Sequence, residues 1–487
     1  MGHLRHFHQN PFLKRETDPK HPGKVFVTCK QGSTADSLQR AVRALSRHNQ
    51  TLATVVFHHF AFDDNDTEVH KLGHAIFKNL TQLPFQVVLG YGCDRLERRR
   101  TPLVIDEDAF AGLEDQLLGL ILSDCQRTKF PAVLKRLHKL QLLELFDASA
   151  MTTINASDLE GLHELANFTV DSVKTIEAGA FANTPRLKLF QAKDSQLDSG
   201  VFAALNVQNS SLEDIRIESS MIEKIPPNAL SKLGRLNNLI IKNNEIAALH
   251  ADSFLGAPLL ENINLRENRI LTIEDGAFRN LGKLKFLLLG RNSIAEPRKG
   301  TFKGLKNLEI LDLHRNGISE LAAGVFEELN GLHVLDLDEN HLESFDGSAT
   351  AHLKHLEQLL LSSNFLGTLR AGQFRGLSKL EKLDLTKNQL TEIDSQVFRG
   401  LENLVILDIS RNAQLTTIRD AAFAGLDNLR FLYAAHIGVA ELTDSMLTGL
   451  TNLTTLKLQG GKLKRITNAA FQNTPNLKTL DLSGNKL

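Results

Sequence analysis

Tryptophan is absent from this 487-residue chain, tyrosine occurs twice and cysteine only three times. So few thiols cannot make a disulfide framework, and any core has to come from aliphatic and phenylalanine packing. An odd count in a secreted chain also implies a missing partner or a free thiol among Cys29, Cys93 and Cys125. Charge of one sign is lacking as well: 56 basic residues face 57 acidic ones, for a net charge of −1. No like-charged block is long enough to suggest a nucleic-acid or anionic-membrane footprint. No apolar run reaches the roughly 18 residues that a membrane-spanning helix needs. The opening Met1-Gly2-His3-Leu4-Arg5-His6 has no apolar stretch of the kind a secretory signal requires. His6 also stands where an N-myristoylation signal has Ser or Thr.

What is present is a frame. Asn244, Asn268, Asn292, Asn316, Asn340, Asn364, Asn388 and Asn412 follow one another at 24-residue steps, and Asn485 resumes the frame after a gap. Around each lies the same apolar pattern, as in Leu284, Leu287, Leu289, Asn292 and Ile294, followed by Phe302. This is the leucine-rich repeat signature. One coil cannot bury its own apolar edge, so coils stack and share a core. Leu311 and Leu313 alternate with Ile310, Asp312 and His314, which predicts a short strand with the leucines inward and the other three outward. The Asn amide is expected to bond backbone groups left unpaired by the turn. Ile318, Leu321, Phe326 and Leu329 are expected to fill the far side of that coil. The predicted fold is an α/β solenoid: a curved parallel β-sheet on the concave face and irregular or short helical segments on the convex side.

The leucine frame runs from Leu117 to Leu477, and a distal Phe spine supports it (Phe254, Phe278, Phe302, Phe326, Phe374, Phe398, Phe423). Before Leu212 the steps are irregular. There Cys125, Ala148, Val173 and Ser195 hold the Asn position, Ser220 continues the series, and Ile437 and Gly461 replace Asn late in the chain. Coils with an apolar residue there are expected to turn differently or pack more loosely. The organisation read from these shifts is a disordered leader over 1–24, an N-terminal cap and degenerate coils over 25–116, and irregular coils over 117–235. Regular coils follow over 236–428, then late coils over 429–487 that stop without a C-terminal cap. Within the cap region, Val25–Cys29 and Val55–Phe57 read as strands, and Leu38, Ala41, Val42 and Leu45 share one helical face.

The 24-residue length with its late Phe resembles the typical class of extracellular leucine-rich repeats, which includes Slit, Toll ectodomains and chaoptin-like adhesion proteins. The stretch from Asp108 to Cys125, continuing to Phe130-Pro131, is similar to arthropod secreted members, among them the non-catalytic repeat subunit of the shrimp luciferin monooxygenase. Such proteins carry cysteine-rich caps at both ends, so the resemblance implies a fragment or an incomplete gene model. It also implies an extracellular protein-binding role, although this scaffold serves many partners.

Motifs that would carry catalysis or a metal fall short. His70 and His74 have metal-capable spacing if helical, but Lys71 occupies the slot where a zincin needs Glu. The acidic run Asp63–Glu68 has Val69 and Ala75 where an EF-hand from Asp64 needs Gly and Glu. Arg95–Arg100 reads as a charged loop with a weak basic-protease consensus. We expect no catalytic residues, metal or cofactor.

Seven N-x-S/T sequons stand at Asn49, Asn65, Asn79, Asn155, Asn167, Asn209 and Asn452. None falls between Leu212 and Thr451, so the middle of the array is expected to be the face kept open. A glycan at Asn167, with Thr169 also outward, would obstruct the early coils. On that middle face Phe286, Leu288, Ile310 and Val334 should adjoin, flanked by Asp312, His314, Asp336 and Asp338, with Arg291, Arg315 and Arg411 at the rim. An apolar centre with a charged margin matches a protein-binding site; the other reading is that these residues merely pack against neighbouring coils. The expected partner is a protein ligand or co-receptor, with no nucleic acid and a homodimer allowed. The alternatives are a non-catalytic stabilising subunit of a secreted enzyme and a cytosolic scaffold.

Overall fold

The computed structural model describes residues 107–123, 130–146, 148 and 151–487, together with Ile105 and the backbone of six earlier strands. Those strands are Leu13–Thr17, Val25–Cys29, Leu52–His58, His70–Leu72, Gln86–Gly92 and Leu103–Ile105. The expected strands at Val25–Cys29 and Val55–Phe57 are present. His70–Leu72 is extended, so the helical spacing considered for His70 and His74 does not form there. The helix over 38–45, the acidic run, Arg95–Arg100, Cys93, Cys125, Asn49, Asn65 and Asn79 lie outside the described residues.

The chain divides into two compact units, Met1–Leu236 and Asn237–Leu487. In the first, Val25–Cys29, Leu52–His58, Gln86–Gly92 and Leu117–Ser123 pair successively in parallel. Leu142–Phe146, Asn167–Asp171, Leu189–Lys193 and Asp214–Glu218 continue that ladder. The second unit repeats a tighter version. Three-residue strands from Asn238–Ile240 through Phe286–Leu288, Ile310–Asp312 and Val334–Asp336 to Thr479–Asp481 pair in parallel and in register. Helix is scarce among the described residues: Val201–Leu205 is α-helical, and Ala132–Arg136 and Ser445–Leu447 are 3-10 turns. The protein is a parallel β-solenoid.

The register follows from burial. The middle residue of each three-residue strand points inward, and Leu287, Leu289, Leu311 and Leu313 are fully buried. Burying one such side chain contributes about 1.5–3 kcal/mol. On the far side of the coil Ile318, Phe326 and Leu329 are fully buried; Leu321 is only half-buried. Phe254, Phe278, Phe302 and Phe326 stack at centroid separations of 5.7, 6.4 and 5.7 Å. The column then breaks, because the next coil has Thr350 at that position. Phe345, from the same coil, takes over and stacks on Phe374 at 5.6 Å. Thr350 is fully buried and its hydroxyl has no hydrogen-bond partner.

The Asn frame stitches neighbouring coils together. Asn316 Nδ2 donates to Leu289 O at 3.1 Å and Leu313 O at 3.0 Å, while its Oδ1 accepts from Ile294 N at 3.0 Å. Asn268, Asn292, Asn340, Asn364, Asn388 and Asn412 repeat this bridge. Asn244, first of the series, donates to Lys242 O. The residue before each amide, such as Arg291, Arg315 or Lys387, is left-handed with φ of 58°, 51° and 52°. That conformation costs an L-residue about 1–2 kcal/mol, which the amide's hydrogen bonds offset.

Of the two outcomes expected for coils without Asn, a different turn is not found among the described residues, whereas looser packing is found at Ile437. Ser172 precedes Val173, Asp194 precedes Ser195, Ser219 precedes Ser220 and His436 precedes Ile437, and all four keep a positive φ. Ser195 reproduces part of the bridge: its Oγ accepts from Val173 N at 3.3 Å and donates to Lys193 O at 3.0 Å. Where Ile437 and Gly461 interrupt the frame, a small apolar cavity opens, lined by Ile418, Ile437, Val439, Leu442, Gly461 and Leu463 among others.

Asn316→Ala should therefore strip two donors and one acceptor from a buried turn and lower stability by about 1–3 kcal/mol in urea denaturation. Thr350→Val keeps the shape and removes a stranded hydroxyl, so it should raise stability by about 1 kcal/mol in the same assay.

Candidate functional site on the outer strand face

Because the middle residue of each three-residue strand is committed to the core, only its first and third positions face outward. In the first column Phe286, Ile310 and Val334 are direct neighbours; in the third, Leu288, Asp312 and Asp336 are. Parallel strands lie about 4.8 Å apart, so the predicted apolar group does assemble. Phe286, Leu288, Ile310 and Val334 are each half-buried. Part of every side chain is packed against adjoining coils and part stays open.

The acids have a local structural reason to be there. An aspartate at the third position accepts a hydrogen bond from the backbone N–H two residues on, which caps the strand end. Asp336 does so from Asp338 N at 3.0 Å, Asp384 from Thr386 N at 3.0 Å and Asp408 from Ser410 N at 2.9 Å. Asp338 lies one step beyond and accepts from Ser362 N in the next coil at 2.6 Å.

Asp312 differs from its expected role as an open flanking acid, since it is only 1% exposed. Its Oδ1 accepts from His314 N at 2.9 Å and pairs with His314 Nδ1 at 2.7 Å, and Arg266 Nε reaches its Oδ2 at 2.5 Å. Arg266 comes from two coils away, across Gly290. A Cβ at position 290 would stand 2.2 Å from His314 Nδ1 and 2.8 Å from Asp312 Oδ2, so glycine is what lets this triad close. Burial works against the Asp312 charge, but the His314 and Arg266 bonds hold its carboxyl below the usual range. The same Asp312 bond raises His314. Ligand atoms of Asp312, His314 and Asp336 come within 4.8 Å of one another. Both Asp312 oxygens already serve Arg266 and His314, so the cluster is an ion-pair network.

At Asp336 and Asp338 burial outweighs the relief that backbone N–H groups and nearby cations give. Burial, then the Asp312 charge, raises the Asp336 carboxyl. Burial, then the Asp336 charge, pushes Asp338 up to about 7. The rim residues Arg291, Arg315 and Arg411 are exposed on left-handed turns. Among the sequons, Asn209 and Asn452 are exposed and Asn155 and Asn167 half-buried. Thr169, expected outward, is 7% exposed, flanked by Glu144 and Gln191 on the adjoining strands. Asn452 also belongs to a second amide column that the sequence reading missed. Asn307, Asn403, Asn428, Asn452 and Asn476 each donate from Nδ2 to a carbonyl of the preceding coil at 2.6–2.8 Å. The signal was available, since each precedes the first leucine of its coil.

The Asp338 carboxyl binds its proton more tightly folded than unfolded, from an ordinary 3.8 to about 7. Its contribution to stability is therefore present at low pH and lost as pH rises through that window. Asp338→Asn should raise stability at pH 8 by about 1–3 kcal/mol, allowing for solvent screening, and have little effect near pH 4. Thermal melts of both proteins across pH 4–8 read this directly.

Among the described residues no helix is long and apolar enough to cross a membrane. The sequence matches the family described as Leucine rich repeat over residues 234–294, 283–342, 330–390, 378–436 and 438–487, more than half of the chain. Residues 135–208 match the BspA type Leucine rich repeat region. No curated protein matches the sequence. Solved structures share the fold. TLR13 in its complex with ssRNA13 superposes with a TM-score of 0.70 at 20% identity, over 95% of this chain and 75% of that one. The Toll–Spatzle complex of Drosophila gives 0.70 at 21%, over 98% of this chain and 60% of that one. A repeat protein of Leptospira interrogans gives 0.60 at 21%, over 92% and 99%. The amide ladder, the in-register strands and these matches together establish that the chain belongs to the leucine-rich repeat family.

Proposed function

We propose that this chain is a non-enzymatic recognition domain that binds a protein ligand on its outer strand face, outside the cell. The observation that carries the reading is the half-open group of Phe286, Leu288, Ile310 and Val334 beside Asp336 and Asp338. Apolar side chains left partly in water next to a charged margin suit protein contact. Of the similar structures, Toll is held with Spatzle and TLR13 with ssRNA13. A protein ligand fits this face better than RNA, because a row of carboxylates repels phosphates. The exposed sequons Asn209 and Asn452 suit a secreted or cell-surface glycoprotein.

The test is capture of protein from the secreted fraction of cells that express the chain. Phe286→Ala combined with Asp336→Lys should weaken capture about tenfold or more, as loss of an interface anchor does. The melting temperature should move only a few degrees. Unchanged capture by the double variant would remove this face from the function. An endoglycosidase-sensitive mass at Asn209 or Asn452 is expected after expression through a secretory pathway; a glycan-free product would count against the extracellular placement.

A further inference from the structure

The charged groups of the central strand face do not balance locally. Asp312, Asp336, Asp338, Asp384 and Asp408 face outward at or just beyond the strand ends, against Arg266, His314 and Lys382. Arg266 and His314 are both spent on Asp312. The rim adds Arg291, Arg315, Glu339, Lys387 and Arg411 on the neighbouring turns, where Arg315 pairs with Glu339 at 3.8 Å. On or just beyond the strands themselves, Asp336, Asp338, Asp384 and Asp408 have Lys382 as the cation among them, while Arg291, Lys387 and Arg411 stand apart on the rim turns.

Their hydrogen bonding is also half complete. In Asp336, Asp338, Asp384 and Asp408, Oδ1 accepts a backbone N–H. Among the described residues the second oxygens of Asp336, Asp338 and Asp384 take no hydrogen bond from the protein, while Asp408 also bonds the Ser410 side chain. Leu360 separates Asp336 from Asp384 in the strand column, so the acids form two pairs along the face.

Resting on the docking role proposed above, we infer that the partner presents a cationic segment to this face. Lysine or arginine side chains lie along Asp336, Asp338, Asp384 and Asp408, and an adjoining apolar residue packs on Phe286, Ile310 and Val334. A guanidinium suits the site because its planar fork can serve carboxylate oxygens of adjacent coils together. Asp338, held near 7 by burial and by the Asp336 charge, makes the contact proton-coupled. A bound cation favours the ionised carboxylate and releases the proton.

Isothermal titration with three capped octapeptides, alternating leucine with arginine, serine or glutamate, tests this. The arginine peptide should bind, and binding should weaken as salt rises. Asp336→Asn with Asp338→Asn keeps the acceptor for each backbone N–H and should cost the arginine peptide about tenfold in affinity. Asp346→Asn, an exposed acid away from the face, should cost nothing. Affinity should fall about tenfold between pH 8 and pH 5.5, with proton release seen as a dependence of heat on buffer ionisation enthalpy. Arginine binding that ignores the double variant or the pH would overturn the inference. So would binding of no peptide, or displacement of the arginine peptide from wild type but not the double variant by single-stranded RNA. If the serine or glutamate peptide binds as well as the arginine peptide, and Phe286→Ala abolishes it, the cationic reading fails while the docking role stands.

Discussion

The structure depends on one side-chain amide repeated at a fixed interval. Each bridging Asn donates to carbonyls of its own turn and of the preceding coil, and accepts from an N–H of that coil. A sharp reversal inside an apolar rod would otherwise strand backbone polar groups where no water reaches them. Leucine packing supplies most of the driving force but is tolerant of sliding. The amide is not, since it meets its partners at one register only. The in-register strands of the second unit reflect that directional constraint.

Two positions per strand are then free to vary, which confines chemistry to a narrow band. The acids in that band first serve the fold as caps of their strand ends. That use occupies one oxygen and holds the carboxylate in place, so its second oxygen is presented rigidly. Asp312 shows how the same residue type is silenced: Arg266 and His314 neutralise it and cover it over Gly290. The acid at the same place in the next coil, Asp336, has the same cap but no bond from Arg266 or His314.

Much of this architecture was legible because it is periodic. Leu311 and Leu313 inward, the amide frame and the stacked phenylalanines all follow from counting. What escaped the sequence was either non-periodic or spanned more than one coil. Phe345 replaces a missing ring from a different position in its own coil, which spacing does not reveal. Arg266 meets Asp312 across 46 residues, and the glycine between them reads in sequence as an unremarkable variation. The left-handed turns at Ser172 and His436 are kept without Asn, so the turn does not depend on the amide alone. At the candidate site, the outward residues were correctly placed in their columns; their burial and pairing were not deducible.

The interruption at Ile437 and Gly461 gives the array an uneven mechanical character. A stack of coils behaves like a row of coupled beads, where resistance to separation is set by each junction. Across these two junctions the amide clasp is missing and a void takes the place of packed atoms. Thermal opening therefore concentrates there before the middle of the row yields. The strand face between Phe286 and Asp408, by contrast, carries the clasp at every junction.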